Sequence, residues 1–95
     1  MSTTTKPLQE MNVLITGASR GIGAAIARRF ASVGMNIVIH YFEAHEAANE
    51  TARLCLQSAA SVLTASADIR SRDEVLRLRE KLEKYGMLPD ILVNN

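Results

Sequence analysis

The chain has 95 residues, enough for one small domain, and its 47% hydrophobic and 22% charged residues are ordinary for a globular protein. A net charge of +1 gives no field that would draw nucleic acid or an anionic membrane. Aromatic residues make up 4%, without tryptophan, which argues against a surface for stacking bases of a single strand.

Cysteine usage and the first residues narrow the setting. Cys55 stands alone, so it has no disulfide partner within the chain and no Cys-rich metal set. That suits a reducing compartment. The opening M-S-T-T-T-K-P-L-Q-E lacks the apolar core of a secretory signal, and no apolar run approaches the ~20 residues of a membrane span. The expected location is cytoplasmic, with no membrane or nucleic-acid partner.

Residues 1–10 read as a flexible arm. Residues 11–16 (M-N-V-L-I-T) form a short apolar run that closes on Gly17, the pattern of a buried strand. After T-G-A-S-R-G-I-G comes a helical stretch in which Ile22, Ile26, Phe30 and Val33 share one face, and Gly34 ends it. Residues 36–40 (N-I-V-I-H) are a second strand without polar alternation, which fits a parallel sheet covered on both faces. A second helix is expected over 44–59, with Ala44, Ala48, Ala52, Cys55 and Ala59 as its small-residue stripe and Cys55 a buried small hydrophobe.

Residues 61–67 (S-V-L-T-A-S-A) give a third, weaker strand. Ser71 and Glu74 have the spacing of a capping box, with Glu74 reaching back to the start of the third helix. Val75, Leu78, Leu82 and Tyr85 run along one face of that helix. Asp73 with Arg77 and Glu80 with Lys84 are acid-before-base pairs at i,i+4, so the basic residues here read as a solvated face. Gly86 and Pro89 end the helix, and residues 91–93 form a fourth strand. The order β-α-β-α-β-α-β is that of an α/β fold with a parallel sheet. Crossovers of one hand put the first two helices on one face and the third on the other.

The loop between the first strand and the first helix carries the chemistry. Gly17 permits the sharp turn out of the strand, Gly21 lets a phosphate approach the backbone, and Gly23 lets the helix pack close to the sheet. The helix start adds unpaired N–H groups and a partial positive charge, and the whole makes a cradle for a pyrophosphate. The spacing G-x-x-x-G-x-G is neither G-x-G-x-x-G nor the G-x-x-x-x-G-K-[ST] of a P-loop. A tight turn needing glycine for its own backbone is the plain alternative.

I-T-G-A-S-R-G-I-G resembles the cofactor loop of the short-chain dehydrogenases/reductases, whose pattern is T-G-x-x-x-G-x-G. Ala67-Asp68-Ile69 is similar to the stretch where that family places an Asp near the adenine. D-I-L-V-N-N, residues 90–95, resembles the strand that leads into the family's Asn-Asn-Ala-Gly. The three matches keep the family's order across residues 11–95, and their wording is most similar to the branch with 3-oxoacyl-acyl-carrier-protein reductases and glucose dehydrogenases. The resemblance implies the N-terminal half of a Rossmann-type doubly wound parallel sheet. It implies an incomplete NAD(P)-binding domain over residues 11–95, interrupted after the fourth strand. Its apolar open edge predicts poor solubility or marginal folding for these residues alone.

The functional expectations rest on that resemblance. NAD-binding folds place a carboxylate at the end of the second strand, on the ribose 2′-OH. That position falls at Tyr41, between His40 and Phe42, with Glu43 two residues further on. Without a carboxylate there, and with Arg20 available for a charge-assisted bond to a 2′-phosphate, NADP(H) is the expected cofactor and NAD(H) the alternative. The implied adenosine-pyrophosphate site comprises Gly17, Ser19, Arg20, Gly21, Ile22, Gly23, Tyr41, Asp68, Ile69 and Asn95, with Asn94 as a structural sheet-bridging residue. His40 either lines the adenosine side or caps the strand, and His45 is expected in solvent. Neither has partners at metal-ligand spacing.

The family transfers hydride with a Tyr, a Lys four residues later, and a Ser. Here His45 follows Tyr41 by four and Pro89 follows Tyr85 by four, so no catalytic residue is assigned. The expected function is part of an NADP-dependent oxidoreductase of small carbonyl or alcohol substrates, a homo-tetramer or dimer when whole. A non-catalytic nucleotide-binding module, or a truncated interfering subunit, is the alternative. A methyltransferase is a distant third, since it usually wants an acid after the second strand.

Overall fold

The computed structural model describes residues 6–95. Its elements are β1 (Asn12–Ile15), α1 (Gly21–Ser32), β2 (Asn36–Tyr41), α2 (His45–Cys55), β3 (Ser61–Ser66), α3 (Arg72–Lys84) and β4 (Ile91–Val93). The strands form one sheet in the order β3-β2-β1-β4, with every neighbouring pair parallel. Val13 stands opposite Ile37 on one side and Ile91 on the other.

Side-chain alternation divides the apolar strands between two cores. Val13, Ile15, Ile37 and Ile39 point toward α1 and α2 and pack with Ala27, Ala31, Ala48 and Cys55. Leu14, Val38, Leu63 and Ala65 point toward α3 and pack with Leu78 and Leu82. The expected division of the helices between the two faces is therefore what the sheet shows, and it explains why β1 and β2 have no polar alternation. Burial pushes the Cys55 thiol up from its ordinary value, consistent with an inert core residue.

Several local expectations are corrected. The core face of α1 is Gly23, Ala27 and Ala31, whereas Ile26 and Phe30 flank it half-buried, Val33 is exposed and Ile22 is 74% exposed. The helix lies too close to the sheet for large side chains along its line of contact. A Cβ on Gly23 would collide with the Gly17 carbonyl oxygen and stand 2.7 Å from Asn95 Nδ2. The second helix ends at Cys55, not 59, and its buried stripe is Ala48, Thr51 and Cys55. On α3, Leu82 is buried and Leu78 half-buried, but Val75 and Tyr85 are exposed. That face covers only the narrow apolar strip of Leu14 and Val38, and Val75, Leu88 and Pro89 border an open groove of about 360 Å³.

The polar details of α3 also differ. Ser71 Oγ accepts from the Glu74 N–H at 3.3 Å as expected, but the Glu74 carboxylate reaches past Ser71 to the Asp68 N–H at 2.9 Å. The Ser71 N–H is already held by the Asp68 carbonyl. Neither Asp73–Arg77 nor Glu80–Lys84 closes as an ion pair; Lys81 instead donates to the Thr64 carbonyl on edge strand β3 at 2.9 Å.

Residues 1–5 of the expected arm lie outside the described residues. Of the rest, Leu8–Glu10 form a 3-10 turn, and Lys6 Nζ pairs with Asp90 Oδ1 at 2.8 Å. Asp90 Oδ2 accepts the Asn12 N–H at 2.8 Å, and the Asn12 amide donates to the Leu88 carbonyl at 2.9 Å. Asn36 donates to Asn12 Oδ1 at 3.0 Å and to the Gln9 carbonyl, while Ser61 Oγ donates to Asn36 Oδ1 at 2.8 Å. The strand starts are thus tied by a continuous polar seam.

Candidate nucleotide-binding site

The opposite edge of the sheet, where the strands end, is built differently. The chain passes from β1 outward to β2 and β3, then returns to the other side of β1 as β4. Such a reversal opens a crevice at the carboxyl ends of the strands, where ligands bind in open α/β sheets. The glycine loop leaves β1 at this point.

Gly17 and Gly21 have φ of 60° and 64°, a region costly for other residues. Nothing lies within 4 Å of the place a Gly21 Cβ would occupy, so the backbone there is open to a ligand. The collision that a Gly23 side chain would make shows why this position must be glycine for the loop to stack tightly on the helix. Arg20 is the extended residue before α1, without a side-chain cap, and the first turn carries no acidic residue. The helix start therefore keeps its positive end and its first N–H groups uncompensated by the chain. Ser19 is nearly buried, and its carbonyl is held by Thr51 Oγ1 at 2.7 Å, tying the loop to α2.

Two side chains brace the loop from neighbouring strands. His40 is buried, its Nδ1 accepting the Gly17 N–H at 3.2 Å and its Nε2 donating to the Ala67 carbonyl at 2.8 Å. These partners fix the tautomer: Nδ1, facing a donor, carries no proton, and Nε2, facing a carbonyl, carries one. Asn95 donates from Nδ2 to the Gly17 carbonyl at 3.1 Å, and its backbone N–H donates to Thr16 Oγ1 at 2.9 Å. Asn94 Oδ1 lies 3.4 Å from the same hydroxyl.

A cavity of about 340 Å³ opens beside this loop. Of the residues expected from sequence it gathers Gly17, Asp68, Ile69 and Asn95, and it adds His40, Phe42 and Arg70. Ser19, Arg20, Gly21, Ile22 and Gly23 continue from it into α1, with Arg20 and Ile22 exposed. Tyr41, also expected in the site, does not line the cavity. It is 4% exposed and packs with Ile37 and Ile39 in the core under α1 and α2, with its hydroxyl hydrogen-bonded to His45 Nδ1. Strand alternation is the cause: Tyr41 shares the phase of Ile39, so its neighbour His40 turns toward the cleft. His45 is exposed as expected, although paired with Tyr41.

Phe42 and Arg70 are not in the set expected from sequence. Asp68 Oδ1 accepts both the backbone N–H and Nε of Arg70 at 3.0 Å, and Oδ2 accepts Nη2 at 3.1 Å. The Arg70 hydrogen bond is the first cause holding the Asp68 carboxyl below its ordinary value. The Asp-x-Arg spacing, with a side chain bonding the backbone two residues on, is the signal that would have found this turn.

The comparisons with known proteins agree with this geometry. The family described as short chain dehydrogenase matches residues 11–95. The chain belongs to that family, a class of oxidoreductases that bind nicotinamide cofactors. It is 35% identical to glucose 1-dehydrogenase 2 of Bacillus subtilis over 91 residues, which cover 95% of this chain and 35% of that protein. It is 36% identical to 3-oxoacyl-[acyl-carrier-protein] reductase of Synechocystis over 83 residues, 86% of this chain and 33% of that protein. Among solved structures it resembles the angucycline C-6 ketoreductase LanV with bound NADP, at a TM-score of 0.79 and 35% identity, covering 93% of this chain and 37% of that one. The chain thus spans about a third of the length of the curated relatives it matches. Among the described residues, no helix is long and apolar enough to cross a membrane.

Proposed function

We propose that these residues are the cofactor-binding part of an NADP-dependent oxidoreductase that moves a hydride between nicotinamide and a small carbonyl or alcohol substrate. The observation that carries this reading is the start of α1: an uncapped, acid-free helix end behind two positive-φ glycines, with open space over Gly21. On this reading the N–H groups of Gly21, Ile22 and Gly23 hold the pyrophosphate. Gly17 and Ser19 set the loop, and Asn95 and His40 fix it from either side. Asp68 and Ile69 border the adenine, and Tyr41 acts only through its backbone and its packing.

The preference for NADP(H) over NAD(H) follows from charge. The end of β2 presents Phe42 to the cleft and no carboxylate, and Arg20 forms no ion pair among the described residues. A 2′-phosphate there meets the Arg20 cation, and the nearby Asp68 carboxylate is paired with Arg70. The nicotinamide supplies the hydride when bound; the groups that orient substrate and move its proton are proposed to lie beyond Asn95, in a longer chain whose sheet continues past β4. By family analogy the whole enzyme is a cytoplasmic homo-oligomer.

The test is a titration of the full chain encoded by the gene with NADPH and with NADH, before and after Arg20→Ala. The expected result is tighter NADPH binding, with the preference lowered roughly 10- to 100-fold in the variant, the range for a hydrogen bond to a charged group. An unchanged preference contradicts the assignment of Arg20. Binding without turnover of any carbonyl or alcohol favours a nucleotide-binding module.

A further inference from the structure

Arg70 is placed in the cleft by two independent contacts. Asp68 grips its guanidinium from the side with two hydrogen bonds, at 3.0 and 3.1 Å. Its central carbon lies 5.9 Å from the centroid of the Phe42 ring, at the outer limit of cation–π contact. These contacts restrain a long side chain that is still 81% exposed. Three of its five N–H donors have no partner among the described residues. Phe42 is itself 48% exposed, and both residues border the same cavity as Gly17, Ile69 and Asn95.

A cavity with Phe42, Ile69 and Ala67 in its wall and only one carboxylate at its rim favours a flat, largely apolar ring that carries an amino group. Asp68 still has acceptor capacity on Oδ2, which takes a single bond from Arg70. Because Asp68 compensates its charge locally, Arg70 is a poor choice for capturing a phosphate, whereas its planar face remains available for stacking.

We propose that Arg70, held by Asp68 against Phe42, closes over the adenine of the cofactor and reads the base, not the 2′-phosphate. This rests on the proposed cofactor and adds to it a division of labour: Arg20 discriminates NADPH from NADH, and Arg70 strengthens both alike. A plain surface ion pair that staples the turn before α3 would occupy the same place, and it differs in what its removal does.

The experiment is to titrate the full chain and its Arg70→Ala and Arg70→Lys variants with NADPH, NADH and reduced nicotinamide mononucleotide, which has no adenosine. Thermal unfolding is followed alongside. The expected result is a loss of roughly 3- to 30-fold for NADPH and NADH by the same factor, the range of a cation–π contact. Binding of the mononucleotide stays the same, and Lys restores part of the loss. Loss for NADPH alone would assign Arg70 to the 2′-phosphate and overturn the proposal. A lower melting temperature with unchanged affinities would leave it a staple and also overturn it. If the unaltered chain binds neither dinucleotide, the cofactor reading itself falls; if it binds and Arg70→Ala binds equally well, only the role of Arg70 falls.

Discussion

At the start of the strands, Asn12, Asn36, Ser61, Asp90 and Lys6 hydrogen-bond to one another and to nearby carbonyls. At their ends, Gly21 and the first turn of α1 leave backbone donors without a side-chain partner, with open space over Gly21, while His40 and Asn95 brace Gly17 from either side. The same contrast separates the two helix starts. That of α3 has Ser71 as a cap and Asp73 and Glu74 in its first turn, whereas that of α1 has neither cap nor acid. One edge of the sheet completes its own hydrogen bonding, and the other leaves the first donors of α1 without a partner among the described residues. Substitutions at the first should therefore alter stability alone, and substitutions at the second should alter binding.

Gly23→Ala is expected to break the ligand edge most severely. The added Cβ collides with the Gly17 carbonyl oxygen and falls 2.7 Å from Asn95 Nδ2, so the loop must move. Overpacking of this kind costs about 1–3 kcal/mol or more; calorimetry should show the loss in stability, and NADPH titration the loss of binding. Arg20→Ala comes next, with a fall of roughly 10- to 100-fold in NADPH preference and an unchanged melting temperature.

Asn12→Ala tests the other edge. It leaves the Leu88 carbonyl and the Asn36 amide short of a partner, and about 1–3 kcal/mol of stability should be lost in urea unfolding. Cofactor affinity should not change; a large drop would mean that the two edges are coupled. Ser71→Ala removes the cap of α3 and should cost about 1 kcal/mol, again without an effect on binding.

The smallest effect is one of pH. Lys6, and then the Asn12 N–H, hold the Asp90 carboxyl below its ordinary value. A depressed carboxyl contributes stability that is fully present above the unfolded value of about 3.9 and is lost as pH falls through the lower folded value. Asp90→Asn should therefore flatten the acid limb of a stability–pH curve below about pH 4. A curve of unchanged shape would show that this pair contributes nothing.

Much of this was legible in the sequence because it depends on local pattern. Apolar runs and their glycine and proline stops located every strand to within a residue at its ends, and the three glycines located the loop. What the pattern did not show depends on how closely elements approach. The helical periodicity through Ile22 and Ile26 is real, but the lack of space at Gly23 turns the smaller Ala27 and Ala31 to the sheet. Position at a strand end points Tyr41 to the cleft, whereas strand phase puts its side chain in the core. The i,i+4 pairs on α3 are permitted by spacing, yet Lys81 is drawn to the Thr64 carbonyl of edge strand β3. The meeting of Arg70 with Phe42 left no local signal, because the two lie 28 positions apart in the sequence and come together only across the cleft.

The most direct measurement is a crystal structure of the full chain with NADPH. The account predicts pyrophosphate oxygens within about 3 Å of the Gly21–Gly23 backbone nitrogens, the 2′-phosphate on Arg20, and the adenine beside Asp68 and Ile69 with Arg70 over it. A dinucleotide bound elsewhere, or a pyrophosphate turned away from the start of α1, would contradict it.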